Sequence, residues 1–186
     1  TSVAPINAAS TVGWQHARIA GSTVDAKFSF DNGSANSGST FSYGTAAAAD
    51  RSLGMLASGS NINRIGAVIR NNTGSTLSYI NITYVGEQWR YGAGVANTLT
   101  FGYQVGGTDI STGSFTAVSG LDFTSPVTSG GAGTRDGNLS INRTNKSATV
   151  ALGTPWLAGT DLVIRWEDID NSGSDDGLGI DDFNFS

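Results

Sequence analysis

The sequence has no cysteine, one histidine (His16), two glutamates (Glu87 and Glu167) and only 13% charged residues. Without cysteine there is no disulfide framework and no thiolate chemistry. One histidine and no cysteine exclude a zinc site of the usual kind. A Ser-His-Asp triad would have to use His16, yet no Gly-x-Ser-x-Gly elbow is present, and neither is a P-loop or a dinucleotide fingerprint. His16 reads instead as a satisfied histidine on a strand. No apolar run approaches the ~20 residues that a membrane span needs. A net charge of −5 disfavours nucleic acid as a partner. No signal peptide is visible, and a chain beginning at Thr1 reads as processed or trimmed.

What is present points to β-structure. Glycine is abundant at 26 residues, and hydrophobics make up 38%. Low charge with that hydrophobic share argues against disorder. Short β-branched and aromatic runs separated by Gly, Ser and Asn argue for many strands and turns. Period-2 alternation marks Trp14 to Ala20, Phe28 and Phe30, Leu53 and Met55, Ile62 to Arg70, and Leu77 to Val85. It recurs over Leu99 to Val105, Phe115 to Val118, Ala148 to Leu152, Leu162 to Trp166 and Leu178 to Phe185. Thr45 to Arg51, with four alanines, is the best helix candidate, and Gly54 stops it within about two turns. Residues 31–39 and 124–138 read as loops. The expectation is one domain over 1–186, all-β, folded as a two-sheet antiparallel β-sandwich of jelly-roll type with about ten strands.

The last twenty residues stand apart. Residues 167–186 carry −7, while the 166 before them carry +2. Asp168, Asp170 and Ser172 alternate and Gly173 follows, which is the spacing of the first half of a calcium loop. The second half fails, because position 12 is Gly179 rather than a bidentate Glu, so an EF-hand is excluded. Calcium is therefore expected on oxygens drawn from Asp168, Asp170, Asp175, Asp176, Asp181 and Asp182, though not from all six at once. The closing strand breaks parity: Leu178 and Ile180 share one face, Phe183 and Phe185 the other. Either both faces are buried or a bulge sits near Asp181–Asp182.

The pattern Trp166-x-Asp168-x-Asp170-x-x-Gly173-x-Asp175-Asp176-Gly177-Leu178-Gly179-Ile180-Asp181-Asp182-Phe183 resembles the closing strand of bacterial secreted jelly-roll modules. Arg51-Ser-Leu-Gly, Gly59-Ser-Asn-Ile-Asn and Ile82-Thr-Tyr-Val-Gly-Glu-Gln-Trp-Arg are similar to segments of the same modules. The resemblance covers residues 40–185. It implies a secreted, calcium-stabilised sandwich with a carbohydrate-binding or accessory role, of the kind that accompanies extracellular hydrolases or anchored surface proteins. The expected assembly is a monomer or one part of a larger multidomain chain.

The aromatics suit binding. Trp89 lies among polar neighbours, and Glu87, Gln88, Trp89, Arg90 and Tyr91 are the candidate ligand surface: an aromatic face for a sugar ring, polar groups for its hydroxyls. Trp156 follows Pro155 at a turn and reads as exposed, while Trp166 shares phase with Leu162 and Ile164 and reads as core. The leading expectation is a non-catalytic polysaccharide- or glycan-binding module. Two alternatives stand beside it: a structural or surface adhesion domain without a glycan ligand, and a small polysaccharide-degrading enzyme using Glu87 and Glu167 as paired carboxylates.

Overall fold

The computed structural model describes residues 2–5, 13–20, 28–59 and 61–186. Among them fourteen strands form two seven-stranded sheets that close on one another as a jelly-roll β-sandwich. In chain order the strands are β1 (Ser2–Pro5), β2 (Trp14–Ala20), β3 (Phe28–Asp31), β4 (Ser39–Tyr43), β5 (Ser52–Leu56), β6 (Ile62–Arg70) and β7 (Leu77–Tyr91). They continue as β8 (Thr98–Val105), β9 (Thr116–Ala117), β10 (Phe123–Thr124), β11 (Gly133–Thr134), β12 (Arg143–Trp156), β13 (Asp161–Asp168) and β14 (Gly177–Phe185). The first sheet runs β1-β2-β6-β13-β8-β10, with β9 also on β8. The second runs β11-β7-β14-β5-β4-β3, with β12 also on β7. Among the described residues no helix is long and apolar enough to cross a membrane.

The alternating residues find the core as their period predicts. Ile80, Ile82 and Tyr84 of β7 face Leu99, Phe101, Leu162, Ile164 and Trp166 from the other sheet in one buried cluster. Trp166 is its hub, with Phe101 at 5.0 Å and Tyr84 at 5.2 Å, both edge-on, and Trp14 stacked at 6.0 Å. The parity break in β14 resolves as a bulge. The register to β7 shifts between Asp181 and Asn184, and Asp182 takes a φ of 49°. One extra residue there returns Phe183 and Phe185 to the core that Leu178 and Ile180 already enter.

Beyond its middle, β7 is covered on both faces. On the inward side Gly86 leaves room for the Phe123 ring, which a Cβ would meet at 2.3 Å. On the outward side a second small core forms from Phe41, Tyr43, Leu56 and Trp89. Tyr43 lies flat across the sheet because Gly54 and Gly177 have no side chains there, and Trp89 stacks parallel on it at 6.0 Å. The segment around Arg135 to Asn142 lids this core, with the Arg135 N–H donating to the Trp89 carbonyl at 2.7 Å.

Two expectations are corrected. Thr45 to Arg51 is not helical: Gly44 to Arg51 is an irregular loop between antiparallel β4 and β5. Seven residues cannot repay helix nucleation when both flanks are committed to a sheet. The strand tally rises from ten because β1, β4, β10 and β11 carry weak patterns; β4 is Ser-Thr-Phe-Ser-Tyr, and β10 and β11 are two residues each. All described pairings are antiparallel except β3 with β4, which run parallel at the end of the second sheet.

Candidate functional site

The segment expected to meet ligand is internal. Trp89 is fully buried, and its Nε1 donates to Glu87 Oε2 at 3.0 Å. Glu87 is buried too, and that burial pushes its carboxyl up to about 7, against the pull of the Trp89 N–H, with the Asp181 carboxylate adding to the rise. Gln88 holds the loop after β10: its Oε1 accepts from Val127 N at 2.8 Å, and its Nε2 donates to Val127 O at 3.0 Å. Arg90 is half-buried and donates to the carbonyls of Gly33 and Ser34 at 3.3 and 3.5 Å. The Tyr91 hydroxyl donates to Thr128 O at 2.8 Å, under the Arg135 guanidinium. The five residues fasten loops onto β7; they present no face on which a sugar could stack. Their polarity, which made Trp89 look accessible, is what allows the strand to be buried on both sides. Trp156 is buried as well, with its Nε1 on Thr160 O at 3.0 Å.

The paired-carboxylate reading loses its geometry. Glu87 shares the outward phase of Trp89 on the second sheet. Glu167, next to core Trp166 on β13, points outward from the first sheet and pairs with Arg64 at 2.6 Å and Arg165 at 3.6 Å. The two glutamates are on opposite outer faces of the sandwich and cannot flank one bond. His16 is buried on β2 as expected, but its Nδ1 lacks a partner among the described residues, and burial lowers its pKa.

The six aspartates divide into two groups. Asp181 lies at the bulge, where burial and the Asp50 and Asp182 carboxylates raise its pKa to about 6; it accepts from Asp182 N at 2.8 Å. Asp168, Asp170, Asp175 and Asp176 meet at the other end of β14, where β13 ends. The expectation that Asp181 and Asp182 share a centre with the rest is thus corrected: the strand itself separates them. Within the second group the environments differ. Asp176 accepts from Gly92 N at 2.6 Å, Ser125 Oγ at 2.5 Å and Gln88 Nε2 at 3.1 Å. Asp175 Oδ1 accepts from Asn171 N at 2.9 Å and Asn97 Nδ2 at 3.3 Å; burial first, then Asp170, lifts its pKa to about 6. Asp168 is 1% exposed, and among the described residues neither of its oxygens receives a hydrogen bond of normal geometry. Among the described residues no three acidic or histidine side chains are already gathered around one point as a metal group.

An open cleft lies at the end of the second sheet. Phe30, on edge strand β3, is 75% exposed, and the Arg51 guanidinium sits 5.0 Å from its ring centre. Asp31, Asn32, Ser34 and the Gly44 to Ala48 loop complete a depression of about 540 Å³. Arg51 is braced by Ser42 Oγ at 2.8 Å and Thr45 O at 3.3 Å. The Asp31 carboxylate accepts from Gly33 N at 2.6 Å and Ser34 Oγ at 3.1 Å, which fixes the turn. Sequence reasoning passed over this site. Its one signal was Phe30 running directly into the polar turn Asp31-Asn32-Gly33-Ser34.

No family model matches the chain, and no curated protein matches it. Solved structures do. TmCBM61, in complex with beta-1,4-galactotriose, aligns with a TM-score of 0.41 and 11% identity over 76% of this chain and 73% of its own. The CBM22-1 xylan-binding domain from Paenibacillus barcinonensis Xyn10C aligns with a TM-score of 0.38 and 10% identity over 80% of this chain and 78% of its own.

Proposed function

We infer that this sandwich is a non-catalytic carbohydrate-binding accessory module of a secreted bacterial protein, and that its glycan contact is the Phe30–Arg51 cleft. The observation that carries the reading is Phe30 itself: a 75% exposed aromatic at the wall of a depression that it shares with Gly44 and three alanines and with the polar groups of Asp31, Asn32, Ser34, Thr45 and Arg51. An aromatic face takes the C–H side of a sugar ring, while Asn32, Ser34 and Thr45 offer hydrogen bonds to its hydroxyls. Arg51, fixed over the ring, stiffens the platform, which lowers the ordering cost of binding.

A second reading, a structural or surface domain with no glycan of its own, is favoured by one observation. Arg51 and Asp31 already direct their polar atoms at their own loops, which leaves fewer free groups for a ligand. Calorimetry and affinity electrophoresis against a panel that includes β-1,4-galactan and xylan separate the two. The binding reading expects retention by at least one polysaccharide and loss of roughly 10-fold or more in affinity for Phe30→Ala, as for a hot-spot aromatic. Retention by none of the panel, or unchanged affinity in Phe30→Ala, overturns the assignment of the cleft.

A further inference from the structure

We propose that Asp168 anchors a calcium site at the junction of β13, β14 and the loop after β5, completed by Asp170, Asp175 and backbone carbonyls. The site stands independently of the glycan cleft.

The argument starts from an imbalance. Asp176, a few residues away, is equally buried, and both its oxygens are satisfied by N–H and O–H donors. Among the described residues neither oxygen of Asp168 receives a hydrogen bond of normal geometry. Burial and the neighbouring carboxylates Asp175, Asp176 and Asp170 disfavour its charge, against the pull of the Ala57 backbone amide. A buried carboxylate needs a cation, donors or a proton.

Space and oxygen donors are at hand. A largely enclosed cavity of about 190 Å³ lies beside Asp168, lined by Asp175, Asn36, Ala57, Ser58, Gly173 and Ser174, and by Arg90, whose guanidinium donates to the Gly33 and Ser34 carbonyls. Gly173 takes a φ of 98°, the sharp turn that the Asp168-x-Asp170-x-Ser172-Gly173 spacing calls for. The group of donors is oxygen throughout, with no imidazole or thiolate among them, which selects a hard cation. Irregular loops supply six to eight oxygens at varied angles more readily than a strict octahedron, which favours Ca2+ over Mg2+. Asp176 is excluded as a ligand because its oxygens are already engaged, and Asp181 and Asp182 are excluded by position.

The test uses the whole chain and metal alone. After chelation and desalting, calcium titration by calorimetry and thermal melts with Ca2+ or with EGTA are run on wild type, Asp168→Asn, Asp170→Asn and Asp182→Asn. The expected result is one Ca2+ per chain, a melting temperature higher with calcium by several degrees, and loss of both in Asp168→Asn. Asp170→Asn, a more exposed position that leaves folding intact, is expected to weaken calcium affinity at least 10-fold even if Asp168→Asn fails to fold. Asp182→Asn is expected to bind as wild type. Identical melts in calcium and EGTA with no heat of binding overturn the proposal and leave a protonated Asp168. Loss of binding in Asp182→Asn, or unchanged binding in Asp170→Asn, overturns the assignment of ligands.

Discussion

Trp89 and Phe30 belong to the same sheet and have opposite surroundings. Trp89, on the long strand β7, is the larger aromatic with the more polar flanks, yet it is fully buried against Tyr43. Phe30, on a four-residue edge strand, is three-quarters exposed. The difference lies in what covers each outward face. The segment around Arg135 to Asn142 folds back over β7 and brings Gly137 so near that a Cβ there would lie 2.4 Å from Trp89 Nε1. Among the described residues nothing of that kind lies over Phe30, which has Arg51 against one side. Polar residues beside an aromatic therefore mark two different situations: hydrogen-bonding groups for a ligand, or groups that let a covering segment be buried without orphaned donors.

The sharpest break of this contrast is Trp89→Ala. Removing a fully buried indole from a close-packed cluster is expected to cost about 3 to 5 kcal/mol, read from urea denaturation. A cost below about 1 kcal/mol would show that Trp89 is not core. Glu87 tests the same cluster through pH. Its carboxyl is raised from 4.5 to about 7 in the fold, so the folded state holds the proton more tightly than the unfolded chain. Its favourable contribution is complete below pH 4.5 and is lost as pH rises through 7, amounting to roughly 3 kcal/mol over that window. Glu87→Gln is expected to flatten the fall in stability between pH 4.5 and 7, leaving the part due to Asp181, Asp175 and the other aspartates that burial raises. Unchanged pH dependence in Glu87→Gln would place the titration elsewhere. The smallest effect is expected at the other pole: Phe30→Ala changes stability by no more than about 0.5 kcal/mol, as exposed positions do. A loss comparable to that of Trp89→Ala would mean that the cleft is a packing site and not a binding surface.

The strands that carry the sandwich were legible because their alternation is self-contained. Ile80, Ile82 and Tyr84, or Leu162, Ile164 and Trp166, declare a buried face from their own order. The parity break between Leu178 and Ile180 on one side and Phe183 and Phe185 on the other was legible for the same reason, but it left two readings, both faces buried or a bulge, and the register to β7 decides for the bulge. Strand β4 was not, because its burial comes from neighbours and the alanines after it have the composition of a helix. The fate of Trp89 was not legible either. It depends on a segment some fifty residues later whose own sequence says only loop. The cleft was hidden for a related reason: Phe30 on β3 and Arg51 just before β5 are brought together across β4, a pairing that no local pattern announces. The acidic tail lies between these cases. Its composition announced a cluster, but only the strand geometry shows that Asp181 and Asp182 belong to a different neighbourhood from Asp168.

The parallel pairing of β3 with β4 has a practical consequence for anyone who would re-engineer the cleft. Because the two strands run the same way, residues 32–38 travel back along the sheet instead of turning at one end. Asn32 and Ser34 line the cleft, the carbonyls of Gly33 and Ser34 accept from Arg90 on the way, and Asn36 reaches the cavity beside Ala57 at the opposite end of the β4–β5 ladder. A combinatorial library that randomises this segment for new ligands would at the same time vary a brace and the wall of a distant cavity. Selection would then discard many variants for reasons unrelated to affinity. Diversity is better placed in the Thr45 to Ala48 loop, which faces the same cleft and is anchored at both ends by antiparallel strands.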